Sequence, residues 1–68
     1  MEDREKLKHL LKHWAEHNDE HVAEFRQWAV QARDIDEAAV SDEIMAAANQ
    51  LEKANEFLDR ASKALGES

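Results

Sequence analysis

Apolar and ring-bearing side chains recur every seven residues along the chain, in two separate ladders. The first ladder consists of Leu7, Trp14, His21, Trp28 and Ile35, and the second of Ile44, Leu51, Leu58 and Leu65. A seven-residue apolar repeat is typical of α-helices that pack against other helices along one stripe. The pattern therefore predicts an all-α protein.

The two ladders are out of phase, which indicates a turn between them. Ile35 and Ile44 are nine residues apart, so in one straight helix the second stripe would point about 160° away from the first. A turn at about residues 34–36 restores the phase. We therefore expect an antiparallel helical hairpin in one domain over 1–68, with helix 1 at about 3–33 and helix 2 at about 37–65.

The start of the second helix has three candidate capping residues. Asp34, with Glu37 three residues later, has the order of a capping box, and Asp36 is an alternative cap. Ser41 is a weaker alternative start.

The size of the chain predicts self-association. The alanines of the second helix permit close approach, and Trp14, Phe25 and Trp28 of the first helix supply bulk that can pack over them. A hairpin of 68 residues buries one face only, so we expect two hairpins to dock as a homodimeric four-helix bundle or a higher oligomer. A monomer in equilibrium with a dimer is the alternative.

Composition excludes several classes of partner. The net charge is −7, and the nine basic residues are scattered among acids. The chain therefore has no basic face of the kind that binds nucleic acid. The longest apolar run, residues 44–48, is too short for a bilayer, and the amino terminus lacks a signal peptide's apolar segment. Cysteine is absent, which excludes thiolate chemistry and is compatible with a reducing compartment. We expect a cytoplasmic protein.

The candidate chemistry lies in four histidines spaced four residues apart, at His9, His13, His17 and His21. This spacing places successive imidazoles on one side of a helix. Acids follow three residues after the last three histidines, so carboxylates accompany the imidazoles. The ladder predicts a divalent-metal site with His13, His17, His21, Glu20 and Glu24 as candidate ligands.

Helix geometry limits how many of these groups can hold one ion. His13 and His21 are about 12 Å apart along the axis, whereas metal–nitrogen bonds are near 2 Å. Only two ladder histidines can therefore share an ion, and His17 and His21 are favoured because they lie on or beside the apolar stripe. His9 drifts toward solvent and is the least favoured ligand. Imidazole and carboxylate suit nickel, zinc, copper or iron.

Other interpretations of the four histidines stay open. The histidines can be hydrogen-bonding residues of an oligomer interface in a structural or adaptor module, or a switch that responds to protonation. Two segments match the inverted zinc-protease pattern His-x-x-Glu-His, but a hairpin has no room for a substrate cleft. A ferritin-like di-metal oxidase requires Glu-x-x-His, whereas here the acid follows each histidine. We therefore expect no enzymatic activity.

The segment His13-Trp14-Ala-Glu16-His17-Asn18-Asp-Glu-His21, followed by Phe25 and Trp28, resembles a small prokaryotic helical domain found alone or joined to CooT-like nickel-binding proteins. The resemblance extends to the helix at residues 49–65, and the loop 34–41 has no match. It implies a role in handling nickel during metalloenzyme maturation, with a maturation partner, and His13, His17 and His21 as the matching positions. It favours nickel without supplying a mechanism.

Overall fold

A computed structural model describes residues 2–66 of the chain. Helix α1 spans Glu2–Asp34 and helix α2 spans Ala38–Ala64. The helices fold back on each other into a hairpin that measures 52 × 15 × 15 Å. The expected all-helical hairpin is confirmed, and each helix boundary differs by one residue from its expected position. Residues 2–66 contain no strand.

Both segments form helices because neither contains a residue that would interrupt one. Proline is absent from the chain, and its single glycine, Gly66, follows α2 with a φ of 93°. Alanine, leucine, glutamate and lysine, which have high helix propensity, dominate both segments. Arg4 donates a hydrogen bond to the Leu65 carbonyl oxygen, which joins the start of α1 to the end of α2.

The turn at residues 35–37 is a helix C-terminal motif. The Asp36 amide donates to the Arg33 carbonyl oxygen (3.1 Å), and the Glu37 amide donates to the Ala32 carbonyl oxygen (2.8 Å). These two bonds define a Schellman motif, in which one residue adopts the left-handed conformation. Asp36 occupies that position, with a φ of 64°.

The expected caps of the second helix are wrong. Asp34 is the last residue of α1, Asp36 closes α1, and Glu37 is the N-cap of α2 without a side-chain cap hydrogen bond. The sequence signal for a cap was misleading because aspartate also tolerates the left-handed conformation that a short helix–helix turn requires. Ser41, the weaker alternative, lies inside α2 and is buried.

The two helices contact each other along a line of residues with alternating spacings of three and four, which we call the hairpin seam. Its members are Leu11, Ala15, Asn18, Val22, Phe25, Ala29 and Ala32 of α1, with Ser41, Ile44, Ala48, Leu51, Asn55, Leu58, Ser62 and Leu65 of α2; all are buried or half-buried. This spacing is that of antiparallel coiled-coil packing. The second ladder of the sequence therefore lies in the seam.

Two asparagines form a polar layer near the middle of the hairpin seam. Asn18 donates to the Asn55 side-chain oxygen (3.0 Å), and Asn55 donates to the Ala15 carbonyl oxygen (3.0 Å) and to an Asp19 carboxylate oxygen (2.8 Å). A polar pair inside an apolar seam fixes register, because any shift leaves buried polar groups without partners.

One flank of the seam, which we call the ion-paired face, joins the helices through charge. Arg26 contacts Glu52 (2.7 Å), and Arg33 contacts Asp42 (3.0 Å). The hydrogen bond to Arg26 lowers the pKa of Glu52 and raises that of Arg26. These pairs are solvent-exposed, so they contribute modestly to stability and more to the choice of register.

The opposite flank, which we call the open face, is uncovered, and eleven of its seventeen residues are apolar. It consists of Leu7, Leu10, Trp14, His17, His21, Glu24, Trp28, Gln31 and Ile35 of α1, with Val40, Glu43, Ala47, Gln50, Ala54, Phe57, Ala61 and Ala64 of α2. These residues repeat with the same three-and-four spacing as the seam. The open face is thus a second packing stripe shared by both helices.

The first ladder of the sequence lies on this open face instead of in the hairpin seam. Trp14 is 43% exposed and Trp28 is 61% exposed, and only Phe25 of the three bulky residues belongs to the seam. The expected packing of both tryptophans over alanines within one hairpin is therefore wrong. They lie outside the seam because their positions on the first ladder are rotated around α1 away from the positions that contact α2.

Over the described residues, neither helix combines the length and the apolar character that crossing a bilayer requires.

Replacing Asp36 with glycine should stabilise the hairpin by about 0.5–1 kcal/mol, because glycine adopts a positive φ without steric cost. The measurement is urea unfolding followed by circular dichroism. Asp36→Asn separates charge from conformation, since asparagine removes the negative charge at the helix C-terminus but keeps the side chain. Asp34→Gly is the matched control and should destabilise the hairpin, because Asp34 is helical. Equal effects of both glycine substitutions would contradict the conformational explanation.

Replacing Glu52 with glutamine should lower stability at pH 7 and have little effect near pH 3. The pKa of Glu52 is lowered in the folded chain, so its stabilising effect is present above the ordinary glutamate pKa of about 4.3 and is lost as pH falls through the lower folded value. Thermal unfolding of both proteins from pH 7 to pH 2.5 measures this. A stability difference that is constant over this range would contradict it.

Candidate metal centre

The histidine ladder occupies the first two-thirds of α1, and its last two members lie near the middle of that helix. His17 and His21 are one helical turn apart, so their Cβ atoms project from the same side. Both belong to the open face. The His21 side chain is 41% exposed, which leaves its ring accessible from solvent.

His17 and His21 contact each other directly through their outer ring nitrogens. The two Nε2 atoms are 3.0 Å apart, and the rings are perpendicular with centroids 4.5 Å apart. A hydrogen bond at this distance needs one Nε2 to carry a proton and the other to present its lone pair, and the tautomers of the two rings decide which is the donor. The contact requires an unprotonated acceptor, as does binding of a metal ion.

The inner nitrogen of His21 faces a carboxylate. His21 Nδ1 lies 3.4 Å from a Glu24 Oε1 atom, and the His21 ring also packs against the Phe25 ring with centroids 5.8 Å apart. At 3.4 Å the pair is in contact without a hydrogen bond; a small rotation of the Glu24 carboxylate would form the bond that fixes the tautomer behind a metal-bound histidine. Glu24 lies beside Nδ1 and not between the two Nε2 atoms.

The remaining candidates are placed less closely. The His13 ring stacks over that of His17 with centroids 6.0 Å apart, so it extends the ladder without joining the Nε2 contact. Glu20 is exposed and lies seven residues after His13, at the same position around the helix. His9 lines a different groove, together with Lys12, Asp19 and Asp59.

The distance between the two Nε2 atoms is that of two neighbouring ligands of one ion. With metal–nitrogen bonds near 2.05 Å, nitrogens 3.0 Å apart subtend an angle of about 94° at the metal. This is close to the right angle between adjacent ligands in square-planar or octahedral coordination. A tetrahedral angle needs about 3.3 Å between the nitrogens, which a small rotation of either ring supplies.

The pair supplies only part of a coordination sphere. Among residues 2–66, no three histidine, aspartate or glutamate side chains converge on a common point. Water or another molecule must therefore provide the other ligands of any ion that His17 and His21 bind.

A groove of about 750 Å³ begins at His21 and runs along the open face toward the turn. Glu24, Phe25 and Trp28 line it from α1, and Val40 and Ala47 are among the residues that line it from α2. Its walls are mainly apolar. The sequence indicated the histidines but not this groove. The signal that could have found it is the four-residue spacing from His21 to Phe25, which places both rings on the same side of α1.

Comparison with known proteins gives one match. Residues 7–65 match the family described as a domain of unknown function (DUF8180), which covers both helices and the histidines from His9 onward. No curated protein matches the chain. No solved structure matches it either.

Proposed function

The chain belongs to the family described as a domain of unknown function (DUF8180), and from the geometry of its histidines we propose that it is a non-catalytic protein that binds a divalent transition-metal ion. His17 and His21 are the ligands in this proposal. Glu24 orients His21, and His13 and Glu20 are auxiliary groups along the same helix.

The contact between His17 Nε2 and His21 Nε2, 3.0 Å apart on an exposed part of α1, supports this proposal most directly. Two imidazole nitrogens this close can bind one ion of intermediate hardness as a bidentate site. In the metal-free chain the proton of the donor ring lies between the two Nε2 atoms. For both nitrogens to bind an ion, that ring moves its proton from Nε2 to Nδ1, and the rings turn so that both Nε2 lone pairs meet at the ion.

Nickel is the ion we favour, with zinc, copper and iron as alternatives. The angle of about 94° suits nickel and copper, which accept square-planar or octahedral coordination. The resemblance of the histidine segment to domains associated with CooT-like nickel-binding proteins points the same way. In that case the chain handles nickel in the cytoplasm and passes it to a partner in metalloenzyme maturation.

The second candidate function is that of a structural or adaptor module that assembles into a four-helix bundle. The exposure of Trp14, Trp28 and Phe57 on the open face favours it, because contiguous apolar surface with helical spacing is typical of helix-packing interfaces. In this alternative, His17 and His21 hydrogen-bond and pack at the interface and bind no ion.

Nickel should bind to the metal-free chain at pH 7.5 and stabilise it against thermal unfolding. At a free nickel concentration one hundred times Kd, the stabilisation should be about 2.7 kcal/mol. Isothermal titration and calorimetric unfolding measure these effects, with zinc as the comparison ion.

The double variant His17→Ala/His21→Ala should lose this binding while it keeps the helicity of the wild type. His9→Ala is the matched control, since His9 lines a separate groove, and it should bind nickel like the wild type. Absence of heat with both metals in the wild type would refute the metal-binding proposal and leave the structural module.

Replacing Glu24 with glutamine should weaken nickel binding by about 10–100-fold, because an outer carboxylate raises the basicity of the histidine ligand and fixes its ring. Glu16→Gln removes the same charge from the same helix but lies in the separate groove with His9, so it should change affinity much less. Equal losses in both variants would show that general electrostatic attraction dominates and that Glu24 has no orienting role.

A further inference from the structure

The open face and the histidine pair occupy the same surface, and each lacks a partner in the single hairpin. The pair supplies two ligands where an ion takes four to six. The face supplies a packing stripe with nothing packed against it. A second copy of the chain would meet both requirements.

The accessible surface area of the hairpin is large enough to bury a dimer interface. Its accessible area is 5367 Å², whereas a compact monomer of 7.8 kDa exposes about 4,400 Å². The excess, about 1,000 Å², is close to the roughly 800 Å² that each partner buries in a standard interface. The buried apolar residues are few, namely Leu11, Val22, Ala29, Ala32 and Ala48, so the hairpin has little interior of its own.

The open face is also complementary to itself. Its α1 half presents bulky residues such as Trp14 and Trp28, and its α2 half presents Ala47, Ala54 and Ala61 at seven-residue intervals. The interhelical ion pairs Arg26–Glu52 and Arg33–Asp42 lie on the opposite flank, so docking on the open face leaves them intact. A stripe that continues over both helices is what each hairpin of a four-helix bundle requires.

The position of His17 and His21 along α1 indicates which residues of the two copies meet at the twofold axis of a dimer. Two hairpins can dock with their turns at the same end or at opposite ends. When the hairpins overlap along their full length, both arrangements keep the middle of one α1 level with the middle of the other, and this is the one level that they share. His17 and His21 lie at that level, since α1 spans Glu2–Asp34. Ala54 is small enough to leave space beside them.

We infer that His17 and His21 are half of a four-imidazole site that a second copy of this chain completes, so that one divalent ion binds per two chains. This inference rests on the proposed metal-binding function. It adds that the dimer interface builds the site, and that the ion stabilises the dimer. By linkage, dimerisation and metal binding then strengthen each other by the same factor.

The test is sedimentation equilibrium of the full chain, metal-free and with added nickel, together with X-ray absorption of the nickel-loaded protein. We expect saturation at half an ion per chain, a dimer dissociation constant lowered at least tenfold by nickel, and four imidazole nitrogens around each ion. His17→Ala/His21→Ala should lose the effect of nickel on assembly, and His9→Ala should retain it.

The variant Trp28→Lys separates the interface from the ligands. Trp28 is 61% exposed in the hairpin, so the substitution should preserve helicity while it opposes docking, and nickel affinity should fall at least tenfold although both imidazoles remain. Undiminished binding at one ion per chain in this variant would overturn the inference, as would a monomeric wild type that binds one ion per chain. Those results leave the metal-binding function intact. A wild type that dimerises and binds no nickel would instead refute the metal-binding function itself.

Discussion

Two helices alone share a single line of contact, and in this chain about half of that line consists of small or polar side chains. Ala29, Ala32, Ser41 and Ala48 are buried in it, and the Asn18–Asn55 pair interrupts it near the middle. Trp14, Trp28 and the histidine pair occupy other positions around α1, on one flank of that line. A single line of contact is too narrow to cover the flank, which is therefore left as the open face.

The two flanks of the seam consequently have different kinds of side-chain contact. On the ion-paired face, Arg26–Glu52 and Arg33–Asp42 cross between the helices and select one register. On and beside the open face, ring contacts run along α1 alone, from His13 through His17 and His21 to the seam residue Phe25. One flank thus links the two helices, while the other leaves aromatic and imidazole groups exposed.

Much of this architecture could be predicted from the sequence, and the remainder could not for identifiable reasons. The phase change between Ile35 and Ile44 located the turn because helical geometry turns spacing into direction. The seam on α1 was not recognised because Asn18 and small alanines make it look less apolar than the neighbouring stripe through Trp14 and Trp28. The role of Asp36 could not be predicted because aspartate is common both at helix N-caps and at left-handed turn positions. Only the backbone conformation, with a φ of 64°, distinguishes the two. For the site, spacing alone indicated His17 and His21. Their contact through Nε2, and the separation of His9 and His13 from it, depend on side-chain rotamers that spacing does not determine.

Both imidazoles of the pair belong to one helix and are one turn apart, and this has a consequence for the order of events during synthesis. The seam contact between Asn18 and Asn55 joins residues far apart in the chain, and it must wait until α2 has been made. The His17–His21 pair needs only the single helical turn that contains it. During translation amino-terminal segments emerge first, so the two imidazoles can meet as soon as that part of α1 is helical, before α2 packs against it. The histidine pair therefore does not depend on the folded seam, whereas the Asn18–Asn55 layer does.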